Sequence, residues 1–150
     1  MSVKSQEKNM RRLAELLGRD LSYIWGEKES GPNGDKKVFL NTGKTFLRAL
    51  AKDLELREVS VTSNAGGIAV SGECTLNGMW EDSGIHISLG RIVSNRETVI
   101  LFRSIRDMRD HTGGHNMFLT RRDLEQMSYD QMLEKFSALR KEAVSYERAA

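Results

Sequence analysis

The segment Asp110-His111-Thr112-Gly113-Gly114-His115-Asn116 places two of the chain's three histidines beside a carboxylate, an amide and a glycine pair. Three kinds of behaviour suit such a set. Paired glycines reach backbone conformations closed to other residues, so Gly113-Gly114 can turn N–H groups towards an anion. Imidazoles and carboxylates ligate metals, and His111 and His115 with Asp107 or Asp110 offer such a set. The His-x-x-x-His spacing suits one face of a helix, yet two glycines between the histidines oppose a helix. The third reading is a linking loop from a strand to the helix that follows. That loop is the expectation, and neither a metal nor a cofactor is expected.

The approach to this segment is basic. Residues 91–122 contain seven arginines, three acidic residues and no lysine, a local charge of +4. A guanidinium is planar and forked, which favours bidentate contact with phosphate or carboxylate. Arg103, Arg106 and Arg109, with Asp110, His111, Gly113, Gly114 and His115, therefore make the candidate binding surface. The competing reading pairs these arginines with Glu97, Asp107 and Asp110 on a solvated strand. Residues 1–19 are also basic, with five Lys/Arg against two acids.

Other motifs carry less. Asn41-Thr42-Gly43-Lys44-Thr45 has the ending of a phosphate-binding loop, but the full motif needs glycine where this chain has Val38. It reads instead as a helix start, with Asn41 or Thr42 as cap. Cys74 sits on the apolar side of an alternating strand and reads as a core residue. No G-x-S-x-G elbow offers a serine nucleophile, and no catalytic residue is assigned.

Positioning these residues falls to one domain, 1–150, since 150 residues suit a single core. Met10, Leu13, Leu17, Leu21 and Ile24 recur at helical spacing, across Gly18 and up to a C-cap at Gly26. Glu27 to Lys37, with Pro32, reads as a loop, and Val38-Phe39-Leu40 as a short strand or packed loop. A second helix is predicted from Gly43 to Leu54, burying Phe46, Leu47, Leu50 and Leu54. The period then changes to two. Val59 and Val61 alternate with Ser60 and Thr62, and a turn at Asn64-Ala65-Gly66-Gly67 follows. Ile68, Val70, Cys74 and Leu76 point in, and Ser71, Glu73 and Thr75 point out. Asn77-Gly78 is the strongest short hairpin signal. Ile85, Ile87 and Leu89 alternate with His86 and Ser88, and Thr98 to Met108 follows a turn at Ser94–Glu97. Cap signals at Thr120/Asp123 and Ser128/Gln131 precede a helical stripe of Tyr129, Met132, Leu133, Phe136, Leu139, Ala143 and Val144. The fold class is α+β: a four-stranded antiparallel meander, with two N-terminal helices and a C-terminal helix packed on one face.

The uncovered face is then polar, and His86 lies on it. Counting out from a two-residue turn at Asn77-Gly78 puts Leu76 opposite Met79, Thr75 opposite Trp80 and Glu73 opposite Asp82. Trp80 joins the polar face on that register, where an indole stacks on a base or anchors a protein. A loop at Ser83-Gly84 breaks the register and returns Trp80 to the core.

The whole chain is close to neutral, with 23 basic and 21 acidic residues, and its single cysteine excludes an internal disulfide framework. Its longest apolar run is too short for a bilayer, and its N-terminus has no secretory h-region, so a cytoplasmic protein away from membranes is expected. The expected function is a small non-catalytic binding or regulatory protein acting on a protein partner. Nucleic-acid binding through residues 91–109 and the 110–116 loop is the alternative. A small metal-dependent enzyme using His86, Asp107, Asp110, His111 and His115 is the third reading. Self-association through the amphipathic helices stays open.

Overall fold

The computed structural model describes residues 2–19, 21, 32–65, 72–91, 97–111 and 113–149, with residues 32–33 and 141–149 as backbone alone. Helix α1 (Val3–Leu17) starts at Ser2, whose hydroxyl accepts the Ser5 N–H at 3.1 Å. Its predicted stripe of Met10, Leu13 and Leu17 is buried, as is Leu21. The helix ends at Gly18 instead of running through it. Glycine weakens the helix there, and Arg91 donates Nε and Nη2 to the Leu17 carbonyl at 3.1 and 2.9 Å. Ile24 and Gly26 lie outside the described residues.

Helix α2 (Pro32–Asp53) begins well before the expected Gly43, with proline at its first position, where the missing N–H has no helical partner to lose. Pro32 to Leu40 is therefore helix, and neither loop nor strand. Asn41 and Thr42 sit inside it and do not cap it. Phe39, Gly43, Phe46, Leu47, Leu50 and Leu54 are all buried, so one stripe runs along the helix. Gly43 lets the helix lie close against the sheet, because a Cβ there would lie 2.6 Å from Cys74 Sγ.

The sheet has five antiparallel strands, each paired with its sequence neighbour: β1 (Glu58–Asn64), β2 (Glu73–Met79), β3 (Gly84–Leu89), β4 (Thr98–Ile105) and β5 (Met117–Thr120). The meander thus gains a fifth strand, and β4 stops at Ile105 instead of Met108. Asn64 of the expected turn at Asn64–Gly67 is the last residue of β1 and Ala65 follows it, while Gly66, Gly67, Ile68, Val70, Ser71 and residues 94–96 of the turn at Ser94–Glu97 lie outside the described residues. Asn77-Gly78 is not a turn but part of β2. Gly78 is needed there for space, since a Cβ would come within 2.5 Å of Leu56. The turn lies at Trp80–Ser83, where the Trp80 N–H donates to the Ser83 carbonyl at 2.7 Å. Leu76 consequently pairs with Ile87, Thr75 with Ser88 and Glu73 with Asn64, so Glu73 and Asp82 do not oppose each other.

Two reciprocal capping boxes open two helices where one was expected. Thr120 and Asp123 start α3 (Arg121–Gln126), and Ser128 and Gln131 start α4 (Tyr129–Ala149). Helix α2 lies on β1 and β2, α4 lies on β3 and β4, and α1 packs against α2 and α3. Both sheet-packing helices use the face that carries Cys74 and Phe102. Phe136 of α4 meets Phe102 edge-on with ring centroids 4.9 Å apart. The stripes of α1 and α4 are turned into this core: Met10, Leu13, Met132, Phe136 and Leu139 are buried. Among the described residues no helix is long and apolar enough to cross a membrane.

Candidate binding face

The period-two pleat puts Thr75 and Asn77 on the opposite face from Cys74 and Leu76, and among the described residues no helix covers that opposite face. Cross-strand pairing arranges its centre in two rows. One runs Ser60, Asn77, His86, Arg103, and the other runs Thr62, Thr75, Ser88, Leu101, Phe118. Phe118 ends the second row on the edge strand with 51% of its surface exposed, and Leu101 beside it is half-buried. The outward positions Ser60, Thr62, Glu73, Thr75, His86 and Ser88 are those the alternation predicts. Sequence reasoning missed three others. Asn77 reads in the sequence as a turn residue. Leu101 and Phe118 gave no alternating signal, the one in a continuous apolar run, the other in a strand of four residues.

His86 is the chemical centre of the face. Its Nδ1 lies 2.6 Å from Asn77 Oδ1 and its Nε2 lies 2.9 Å from Ser88 Oγ. A neutral ring satisfies both contacts when Nδ1 donates to the amide oxygen and Nε2 accepts from the hydroxyl. Burial pushes its pKa down to about 4, helped by the Arg103 guanidinium and by His111.

Arg103 is buried, and its fork faces the chain itself. Nη1 donates to the Gly113 carbonyl at 2.9 Å and Nη2 to the Asp110 carbonyl at 2.7 Å. It holds the loop between β4 and β5 against the sheet. The loop joins two strands, where a strand-to-helix connection was expected. Asp110 is its inner fastening: Oδ1 accepts the Gly113 N–H at 2.7 Å and Oδ2 accepts the Arg106 N–H at 3.0 Å. The carboxylate of Asp110 thus takes the Gly113 N–H that an anion nest would offer to a ligand. Gly114 has φ +72°, and a Cβ there would sit 2.4 Å from Ser104 Oγ, so glycine is required twice over. Arg106, Arg109, His111 and His115 are exposed along this loop, and Thr112 lies outside the described residues.

Trp80 is elsewhere. It is 4% exposed, and its indole Nε1 donates to the Leu54 carbonyl at 2.7 Å, with the Arg140 guanidinium 5.9 Å from the ring. The Trp80–Ser83 turn has returned it to the core side, away from the polar face. Cys74 is buried against Leu40 and Gly43, and burial pushes its thiol up to about 12. Among the described residues, no three His, Cys, Asp or Glu side chains come together closely enough to hold a metal ion. His86, Asp107, Asp110, His111 and His115 thus form no such group.

What the face can do is present hydroxyl-rich and partly aromatic surface to a macromolecule. Compared with known proteins, the chain matches no family model, no curated protein and no solved structure.

Proposed function

We propose that this is a non-catalytic binding protein that engages a protein partner through the uncovered face of its sheet. One observation carries the reading. Of the nine side chains in the two central rows only Arg103 is charged at neutral pH, in a chain that is 29% charged. Solvated surfaces keep their charges, whereas the centres of protein interfaces are depleted of them and enriched in aromatic rings. Phe118 supplies such a ring, with Leu101 beside it. The exposed arginines and histidines of the 106–116 loop form a polar rim. The single cysteine, buried and free, suits the cytoplasm as the place of action.

A photo-crosslinking side chain placed at Phe118 or Thr75 tests this in the cells that make the protein. One protein is expected to be captured from both positions and not from Glu134 on the exposed side of α4. The variant Ser88→Arg is expected to abolish capture while keeping the fold. Equal capture from Glu134, or none from the face, would overturn the reading. A nucleic-acid partner is favoured by the exposed Arg106, Arg109, His111 and His115. Anisotropy with labelled single-stranded RNA and DNA, at ~50 and ~200 mM salt, decides between the two, since phosphate contacts weaken steeply over that range.

A further inference from the structure

The sheet order leaves β1 at an edge, and among the described residues no strand pairs with its outer side. The strand is seven residues long, in unbroken register with β2, and exposed at every position except the half-buried Val61. Val59 is 44% exposed. Natural edge strands are guarded by lysine, proline, a bulge or brevity, because a bare edge templates another strand. Glu58-Val59-Ser60-Val61-Thr62-Ser63-Asn64 has no lysine and no proline, and its one charge stands at its end. The opposite edge, β5, has four residues.

We infer that β1 is a homodimerisation edge, joining two copies antiparallel about a twofold axis at Val61 into one continuous sheet. The occupant is a second copy because the strand complements itself. Paired residues must point to the same face, so only residues an even number apart can pair across the axis. Centring on Val61 gives the full overlap. Val61 meets Val61 of the second copy, Ser60 meets Thr62, Val59 meets Ser63, and Glu58 meets Asn64. No charge opposes a like charge, and the half-buried valines meet at the centre on the helix-covered side. The twofold axis stands perpendicular to the sheet, so both uncovered faces end on the same side of the dimer. This inference goes beyond the proposed binding face, and Phe118 lies at the far edge of each sheet from the axis.

Sedimentation of the purified full chain across micromolar concentrations tests it. The expected result is a concentration-dependent species of twice the 17.0 kDa chain mass. Ser60 and Thr62 are exposed and point away from the core, so both tolerate charge in the monomer. The variant Ser60→Lys, Thr62→Lys opposes lysines across the axis and is expected to weaken the dimer about tenfold or more. The variant Ser60→Lys, Thr62→Glu opposes lysine to glutamate in the same register and is expected to dimerise like the unsubstituted chain. Circular dichroism checks that both variants fold. A monomer at every concentration overturns the inference, as does a dimer that survives both lysines. Loss of the dimer in both variants overturns the register on which it rests.

Discussion

Protonating His86 is expected to destabilise the fold, and the size of the effect follows from its surroundings. The folded ring titrates at about 4 and the unfolded one near its ordinary 6.5, because burial, then Arg103, then His111 oppose the charged form. Between those values the unfolded chain binds the extra proton, so stability is complete above about pH 6.5 and falls as pH drops towards 4. Solvent reaches part of the ring and screens the effect, so the loss between pH 7 and pH 4.5 is about 1 kcal/mol, or roughly 2–4 °C in Tm for a chain of this size. Thermal melts by circular dichroism across that range measure it, with His86→Gln as the reference. Glutamine keeps a polar side chain beside Asn77 and Ser88 and carries no titrating proton. Carboxylates titrate in both proteins and cancel in the comparison. The unsubstituted chain should lose about 1 kcal/mol more than His86→Gln on acidification. Parallel pH profiles, or an NMR titration of the His86 ring near 6.5, would refute the reasoning that the open face desolvates this side chain.

Two further outcomes follow from neighbouring contacts. Arg103→Met removes both guanidinium bonds to the Asp110 and Gly113 carbonyls, so it should cost roughly 2–3 kcal/mol in denaturant unfolding and speed amide exchange at Gly113. It should also raise the His86 pKa by NMR, since a neighbouring positive charge is removed, and an unmoved value would show that the charge does not reach the ring. Gly43→Ala should destabilise by about 1–3 kcal/mol despite alanine's better helix propensity, because the added methyl meets Cys74 Sγ. Adding Cys74→Ala in the same chain should recover most of that loss in thermal denaturation, and independent, additive losses would place the clash elsewhere.

Two glycines show why the sequence was legible in part. Gly43 and Gly78 carry the local signals of a helix start and a hairpin turn, and both were read that way. In the fold each is a place where something must come close, Cys74 against α2 and Leu56 against β2. Local sequence cannot distinguish a glycine kept for its backbone freedom from one kept for its small size. The error at Gly78 propagated, because a turn fixes register and register fixes faces. That count alone puts Trp80 on the polar face, and the loop also read at Ser83-Gly84 is what returns it to the core. The periodic stripes of Met10, Leu13 and Leu17, of Ile85, Ile87 and Leu89, and of Tyr129, Met132 and Phe136 are all buried, whereas Val59, read as inward by the same alternation, is exposed because β1 is an edge strand. The polar face was therefore visible early, through His86, Ser88 and Thr75. Its aromatic end was not, because Phe118 lies in a four-residue strand too short to show a period. The role of Arg103 was hidden for another reason. An arginine that binds a ligand and one that fastens its own loop look alike until the loop carbonyls are located.

The neighbour-to-neighbour order of the strands bears on how the chain assembles. Each hairpin closes a short loop, so the sheet can grow strand by strand at low entropic cost. The bonds that tie α1 to the last helices are different. Arg11 donates to the Leu124 and Met127 carbonyls, and Glu7 accepts the Tyr129 N–H, across separations of 113 to 122 residues. Closing so long a loop gains nothing until both ends have formed. During synthesis α1 can rest on α2, but the side that will meet α3 stays bare until the rest of the sheet has been made. The first helix to be made is thus the last to be fully covered, and its apolar stripe is what a chaperone would meet first.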